Sequence, residues 1–335
     1  MMITKQLIEL LLKVWCADEN LPKVEKKNLI LVCKGKAYQL KASYGKVSAS
    51  EITSLDSRQE ETDTRIILYS AYAQEAGYNF VRVRSPDTDI FFILLHYAPN
   101  MKVHLLFETG TGNRKRLLDV TELSQEFTPV YCAALLGLHA FTRCDTTSAF
   151  KGIGKVKPLK MLQKKTKYQE VFKCLGESWE VTDDLFLALE EFTCSMYSTS
   201  TKTKEVDRLR YEMLESKCGG AGQSLYSKKN IDFSSLPPPR VCLQEHIKRV
   251  NYQVAIWKRG HIPKPEIPHP TEDHGWMMSD GRLEARWFKG TALPASLADI
   301  LEKTAEDETA EDSDSSDDDY DSDSGDNESD DSDSD

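Results

Sequence analysis

Apolar positions along this chain change their spacing in a recognisable order. From Ile3 to Cys16, residues Ile8, Leu11, Leu12 and Trp15 recur with helical period around Glu9 and Lys13, the signature of an amphipathic helix. Asn28–Cys33 (NLILVC) and Ala37–Leu40 are short apolar runs on either side of a Lys-Gly-Lys turn and predict two strands. Residues 42–58 are Ser/Lys-rich and predict loop. Helical period returns over Gln59–Ala76, with Gly77 as the stop signal. A strand at Phe80–Arg84 follows, then a helix over Asp87–Tyr97 opened by Ser85-Pro86, a strand at Val103–Phe107 and a turn at Gly110–Asn113. Pro129–Phe141 is apolar on every face and predicts a buried helix. The chain reads as mostly helical from Lys155 to Lys217, and again over Val241–Trp257 after the break at Leu236-Pro237-Pro238-Pro239. Residues 261–275 read as a Pro/His-rich loop.

Strands alternating with helices predict an α/β core with a mostly parallel sheet. The breaks divide the chain into an N-terminal helix-and-hairpin region (1–57), a core with a helical extension (58–235), a helix followed by a Pro/His/Trp-rich region (236–301) and a tail (302–335). Charge sharpens that division. Residues 306–335 carry 17 Asp and Glu and no Lys or Arg, so they account for more than the whole net charge of −11 and leave a mildly basic body. A segment of this composition cannot build a core and is expected to be disordered. A basic body suits a polyanionic partner. The eight cysteines include no CxxC pair, which argues against a zinc or disulfide framework and for a reducing, intracellular compartment. No run approaches 18 uninterrupted apolar residues, so no membrane partner is expected.

The candidate chemistry lies in three acidic clusters: Glu61-Thr62-Asp63, Asp87-Thr88-Asp89 and Cys144-Asp145-Thr146. Residues two apart on a helix point about 200° apart. Each of the first two pairs can therefore share a site only at a helix start, where the backbone fans out. Several carboxylates from different elements are a usual means of holding magnesium for phosphodiester cleavage. Taken singly, each cluster has a simpler explanation: Glu61 and Asp63 as first-turn acids favoured by the helix dipole, Asp87 and Asp145 as caps. Seven lysines and no acid occupy residues 151–167. There Gly152-Ile153-Gly154-Lys155 can expose N–H groups at a helix start to a phosphate, although a solvated lysine-rich helix would look the same.

The residues around the clusters carry a resemblance. Glu60-Glu61-Thr62-Asp63-Thr64-Arg65, Ser85-Pro86-Asp87-Thr88-Asp89-Ile90 and Gly137–Asp145 (GLHAFTRCD) resemble the internal motifs of PIN-like nucleases, in the flap-endonuclease and XPG branch. The likeness covers residues 58–165. It is closest to eukaryotic proteins with EEADTR, SPDTD and GCDTTSAF patterns, some associated with mobile elements, and extends to Val250–Ala255 and His274-Gly275-Trp276. It implies a three-layer PIN-like core and a Mg2+- or Mn2+-dependent nuclease acting on nucleic acid, DNA in particular, in the nucleus. The implied metal ligands are Glu61, Asp63, Asp87, Asp89 and Asp145, and the implied backbone contacts are Lys151, Gly152, Gly154, Lys155 and Lys157. Three departures stand out. Asp63 replaces a Glu, Arg143 replaces a Gly, and no strand ending in a ligating Asp precedes Glu61. The third raises the expectation of a truncated gene model, a domesticated remnant or a subunit of a larger assembly. A catalytically inactive module that binds nucleic acid or protein is the alternative expectation.

Other chemistry reads more weakly. His139, Cys144 and Asp145 suggest a nucleophilic triad, but His139 on an apolar helix reads as a core histidine. Thr109–Arg114 lacks the lysine placement of a phosphate-binding loop and reads as a hairpin turn. His261, His269 and His274 have no Cys partners at ligand spacing, and Trp276 and Trp287 read as packing residues.

Overall fold

The computed structural model describes residues 10–25, 27–33, 35–59, 61–218 and 231–290. The beginning of the expected N-terminal helix, Glu60 and the acidic tail lie outside them; residues 10–15 are helical as expected. Two units partition the chain, Met1–Phe288 and Lys289–Asp335, and the description below concerns the first.

That unit is mixed α/β. Strands β1 (Leu29–Cys33), β2 (Lys36–Ser43) and β3 (Lys46–Glu51) form an antiparallel meander. β3 falls inside the expected loop. Tyr44 and Gly45 both take positive φ, 50° and 75°, which matches the twist of a two-residue hairpin. The next residues then pair back along β2, with Val47 opposite Ala42. The meander has its own small core of Val24, Leu40 and Val47, edged by Leu12, Trp15 and Leu31.

Helix α1 (Thr62–Glu75) leads to the second sheet, in the order β4 (Phe80–Arg84), β5 (His104–Thr109), β6 (Arg116–Asp119). β4 and β5 are parallel, joined through α2 (Thr88–Tyr97). β6 is antiparallel to β5, so the expectation of a mostly parallel sheet is met at one pair only. The reason is the length of the connection: the short Gly110–Lys115 link closes a hairpin, whereas a parallel return needs a crossover of a dozen residues. Among the described residues, β4 has no sheet neighbour on the side away from β5.

The remainder is helical: α3 (Val120–Glu126), α4 (Pro129–Thr142), α5 (Val156–Lys164), α6 (Thr166–Cys174), α7 (Asp183–Tyr197), α8 (Val206–Cys218) and α9 (Arg240–Lys258). Every residue of α4 from Tyr131 to Thr142 is buried. It forms the axis of a core shared by Leu94 of α2, Phe107 of β5, Phe172 of α6, Phe192 of α7 and Trp257 of α9. α9 thus belongs to the same core as the carboxylate-bearing elements. A last hairpin, β7 (Trp276–Ser279) with β8 (Arg282–Ala285), turns at Asp280-Gly281. Among the described residues, no helix is long and apolar enough to cross a membrane.

Three consecutive residues on α9 tie loops to this core. The buried Asn251 accepts from the Gly176 amide (2.8 Å) and donates to the carbonyls of Ser178 and Trp179 (2.9 and 3.0 Å). Gly176 has φ +76°, and a Cβ there would sit 2.6 Å from the backbone of Val254 and Ala255. Tyr252 donates to the Pro268 carbonyl (2.9 Å) and stacks on His274. Gly275 (φ +80°) lets its loop approach so closely that a Cβ would lie 2.5 Å from the Glu245 carbonyl, while Arg249 donates to the Gly275 carbonyl. These contacts account for Val250–Ala255 and His274-Gly275-Trp276 as docking segments.

Candidate functional site: carboxylates at three helix ends

Both acidic pairs sit at a helix start, in the same local form. Glu61 is the extended N-cap residue of α1, and Asp63 lies in its first turn. Asp87 is the extended N-cap of α2, and its Oδ1 accepts from the Asp89 amide at 2.8 Å. Asp87, rather than Ser85, therefore caps the helix; Ser85 Oγ instead accepts from the Asp87 amide. Asp145 is exposed in the turn after α4. The fanning expected of helix starts thus brings acids from three elements to one region. The electrostatics report their proximity. Partial burial raises the Asp63 carboxyl above its ordinary value, and Asp87, Asp89 and Asp145 each raise it further. Burial raises Glu61 as well, opposed by its hydrogen bonds and reinforced by Asp63 and Asp89.

The five carboxylates are not equivalent. Gln253, the third residue of the α9 tie, donates Nε2 to both Glu61 oxygens at 3.0 and 3.1 Å. Its Oε1 accepts from Thr146 Oγ1 at 2.8 Å, linking the first acidic cluster to the third. Asp89 is buried, and its Oδ1 lies 2.7 Å from His139 Nε2. Asp145 is exposed, whereas Glu61, Asp63 and Asp87 are half-buried. Among the described residues, no group of three or more His, Cys, Asp or Glu side chains is gathered so as to hold a metal ion as it stands. The donor chemistry itself fits a hard divalent cation: every candidate ligand is a carboxylate oxygen, and the mutual repulsion recorded at Asp63 is the kind a cation relieves.

His139 is the site residue that sequence reasoning passed over. Its helix is otherwise apolar, and a polar group buried there needs a partner; that partner is a candidate ligand. Nδ1 lies 2.7 Å from Lys155 Nζ. The Lys155 ammonium also donates to the Arg143 carbonyl (2.7 Å) and, more weakly, to that of His139 (3.4 Å). Lys155 is exposed as a residue, and the three N–H bonds of its ammonium meet these three acceptors. Lys155, an expected phosphate contact, is thus exposed and also hydrogen-bonded within the protein. Burial lowers the Lys155 and His139 values, with Asp89 opposing both shifts. Arg143 holds φ +138°, backbone that glycine adopts readily and arginine does not. The sequence departure from Gly thus falls on the one non-glycine residue of the α4–α5 link with positive φ, and its carbonyl is the nearer of the two that Lys155 meets.

The other candidates resolve individually. Lys151 pairs with Asp232 (3.1 Å) and hydrogen-bonds Ser234 Oγ. Gly152 and Gly154 are exposed, with open space where a Cβ would stand. Lys157 is exposed on a cavity of about 620 Å3 that Lys160, Lys164 and Lys165 also line. The triad geometry is absent: both ring nitrogens of His139 are engaged elsewhere, and Cys144 Sγ lies against Thr146 and Thr147. His261 meets Tyr97, His269 meets Thr271, and His274 stacks on Tyr252. Trp276 lines a cavity with Glu61, and Trp287 covers Arg249.

No family model matches the chain, and no curated protein or solved structure is matched by it.

Proposed function

We propose that the chain is a PIN-like, flap-endonuclease-type protein whose carboxylate cluster serves Mg2+- or Mn2+-dependent phosphodiester hydrolysis of nucleic acid. The observation that carries the reading is the electrostatic convergence of Asp63, Asp87, Asp89 and Asp145 from three separate elements. A bound divalent cation would supply Lewis-acid polarisation of the scissile phosphate and a more acidic water. The chain's own residues do the rest. Asp63, Asp87 and Asp145 offer oxygen ligands. Gln253 holds both Glu61 oxygens in one orientation, and His139 holds Asp89 through Oδ1. Lys157, with Lys160, Lys164 and Lys165, offers a positive groove for a backbone, with sequence-independent and salt-sensitive contacts. Nuclear location belongs to the same reading.

The test is Mn2+-dependent cleavage of branched and single-stranded DNA by the full chain, with Asp87→Ala as control. Cleavage that Asp87→Ala abolishes supports the reading; cleavage that survives it, or none at all, overturns it. A second reading, a binding module without hydrolysis, draws on the two carboxylates already taken by protein donors. It is favoured if the chain binds DNA in a salt-dependent manner without cutting it.

A further inference from the structure

One face of α9 runs from Gln253 to a second cavity. Cys242, His246, Arg249 and Gln253 recur at i, i+4, i+7 and i+11 and so share that face. Gln253 holds Glu61. The other three line a cavity of about 420 Å3, which Tyr197 of α7, Arg210 of α8 and the loop before α9 also border. His246 lies seven residues before Gln253, about 10 Å along the helix axis. Four lining side chains are aromatic: Phe150, Tyr197, Phe233 and Trp287. Lys151, Arg210 and Arg249 supply positive charge, and among the described residues no carboxylate lines the cavity.

Two groups on the α9 face are incompletely satisfied. Arg249 is 2 % exposed, and a charge so buried is normally paired. Its Nη1 donates to the carbonyls of Gly275 (3.0 Å) and Arg286 (2.6 Å), and its guanidinium carbon lies 5.6 Å from the Trp287 ring centroid. Among the described residues, Nε and Nη2 meet no acceptor and the charge has no ion-pair partner. Glu245, one turn back, attracts Arg249 but engages its two oxygens with Lys248 and Arg286 (3.3 and 2.7 Å). His246 is the second group. A carbonyl only accepts, so Nε2 carries the ring proton that Phe141 receives, and Nδ1 is left as a buried acceptor without a partner. A buried polar group left unmet costs stability. Two of them, three residues apart and lining one cavity, point to a ligand.

We propose that this cavity binds a nucleotide, with the base against the aromatic side chains and the phosphate on Arg249, flanked by Arg210 and Lys151. Simpler occupants use only part of the lining. An aliphatic ligand has no use for the cations, and an inorganic anion has none for four aromatic walls. A nucleotide carries a π-face that stacks on such rings, N–H groups for the His246 acceptor, and a phosphate that matches a guanidinium fork. The volume is within the usual range of ligand sites. A free mononucleotide and an unpaired residue of a strand share this chemistry. The assignment goes beyond the divalent-cation reading and does not need it, because none of the five clustered carboxylates lines the cavity.

The experiment is calorimetric titration of the full chain, without divalent metal, with deoxyadenosine monophosphate, deoxyadenosine, inorganic phosphate and a short single-stranded oligodeoxyadenylate. The monophosphate is expected to bind more tightly than deoxyadenosine or phosphate, because ring and charge are held together. Phe233 and Trp287 are exposed, so Phe233→Ala and Trp287→Ala are expected to fold. Each is expected to weaken nucleotide binding about tenfold, the scale of one lost base stack. Arg249→Met is expected to weaken the monophosphate and leave deoxyadenosine unchanged. No binding of monophosphate or oligonucleotide by wild type overturns the proposal. So does nucleotide binding that folded Phe233→Ala and Trp287→Ala both leave intact, or deoxyadenosine or phosphate binding as tight as the monophosphate. Should Arg249→Met fail to fold, the wild-type comparison of monophosphate with deoxyadenosine decides the role of the cations. Oligonucleotide binding that Phe233→Ala weakens, without mononucleotide binding, supports the site and assigns it to a strand residue; mononucleotide binding alone supports it and assigns it to a free nucleotide. Failure of Mn2+-dependent cleavage overturns the nuclease reading alone, since binding is read here without metal.

Discussion

The start of α1 and the middle of α9 bury polar groups in opposite ways. At α1, partial burial and then Asp87, Asp89 and Asp145, acids from other elements, raise the Asp63 carboxyl above its ordinary value. On α9, Asn251 and Gln253 are neutral amides that satisfy partners on several other segments. The two regions meet at the hydrogen bonds between Gln253 and Glu61. The contrast separates two kinds of polar cluster. One stabilises the fold and has no spare capacity. The other gathers like charges, which raise the Asp63 carboxyl and oppose its ionisation.

The largest expected effect lies in the satisfied region. Asn251→Ala leaves the Gly176 amide and two carbonyls without their partner inside the protein. The expected loss is about 3 kcal/mol, read from urea unfolding. A loss below about 1 kcal/mol would break the contrast, because it would mean that water replaces the amide without cost.

Acid comes next. His246 is buried between α9 and α4, with Nε2 at 3.0 Å from the Phe141 carbonyl, and burial lowers its value to about 4. A depressed histidine is neutral when folded and protonates more readily when unfolded. Its contribution is therefore complete above about pH 6.5 and is lost as pH falls toward 4. Between pH 7 and pH 5 the loss is about 2 kcal/mol. His246→Gln is expected to be less acid-sensitive than wild type by that amount, in paired unfolding curves at the two pH values. Equal sensitivity would show that His246 is solvated.

How far the sequence revealed these regions depends on the kind of signal each emits. The acidic clusters were legible because charges two apart at a predicted helix start have few geometric outcomes, although Glu61, read as a first-turn acid, is the N-cap residue of a helix that starts at Thr62. Gln253 was not legible, since it meets Glu61 across 192 residues and its helical period says nothing about which loop it faces. His139 emitted a signal, a polar residue on an all-apolar helix, that was read correctly as buried but without asking for its partner. Two hairpins were missed for a different reason. Tyr44-Gly45 and Asp280-Gly281 are turn pairs whose residues all take positive φ, and Asp-Gly is among the stronger hairpin signals. The flanking strands expose most of their side chains, so hydrophobic alternation was too weak to support the turn. The bond from the Lys155 ammonium to the Arg143 carbonyl was not legible either, because it depends on the positive-φ backbone at Arg143.

The interface between the two regions is expected to show an intermediate effect. Gln253→Leu removes the amide donor from both oxygens of the half-buried Glu61 and leaves Thr146 without its Gln253 acceptor. A loss of about 1–2 kcal/mol follows. The cost should shrink in a Glu61→Gln background, where no carboxylate charge is left behind. An undiminished cost in that double-mutant cycle would assign the Gln253 contribution to Thr146 instead.

The smallest effect has the opposite sign and tests the contrast most directly. Asp63→Asn keeps shape and removes one charge from the repelling set. Because the Asp63 carboxyl is raised in the folded protein, its charged form opposes folding: the stability it contributes is present below the ordinary carboxylate range and lost as pH rises through the raised value. The metal-free variant should therefore be more stable than wild type at neutral pH, by up to about 1 kcal/mol, and indistinguishable from it once pH falls below that range. Added Mn2+ should reverse the order, stabilising wild type more than Asp63→Asn, since binding to the native state stabilises in proportion to affinity. Thermal unfolding at neutral and acidic pH, with and without Mn2+, measures all of this in one series. If Asp63→Asn is destabilised without metal at neutral pH, Asp63 is a structural first-turn acid serving the α1 dipole, and the cluster loses the member whose electrostatics defined it.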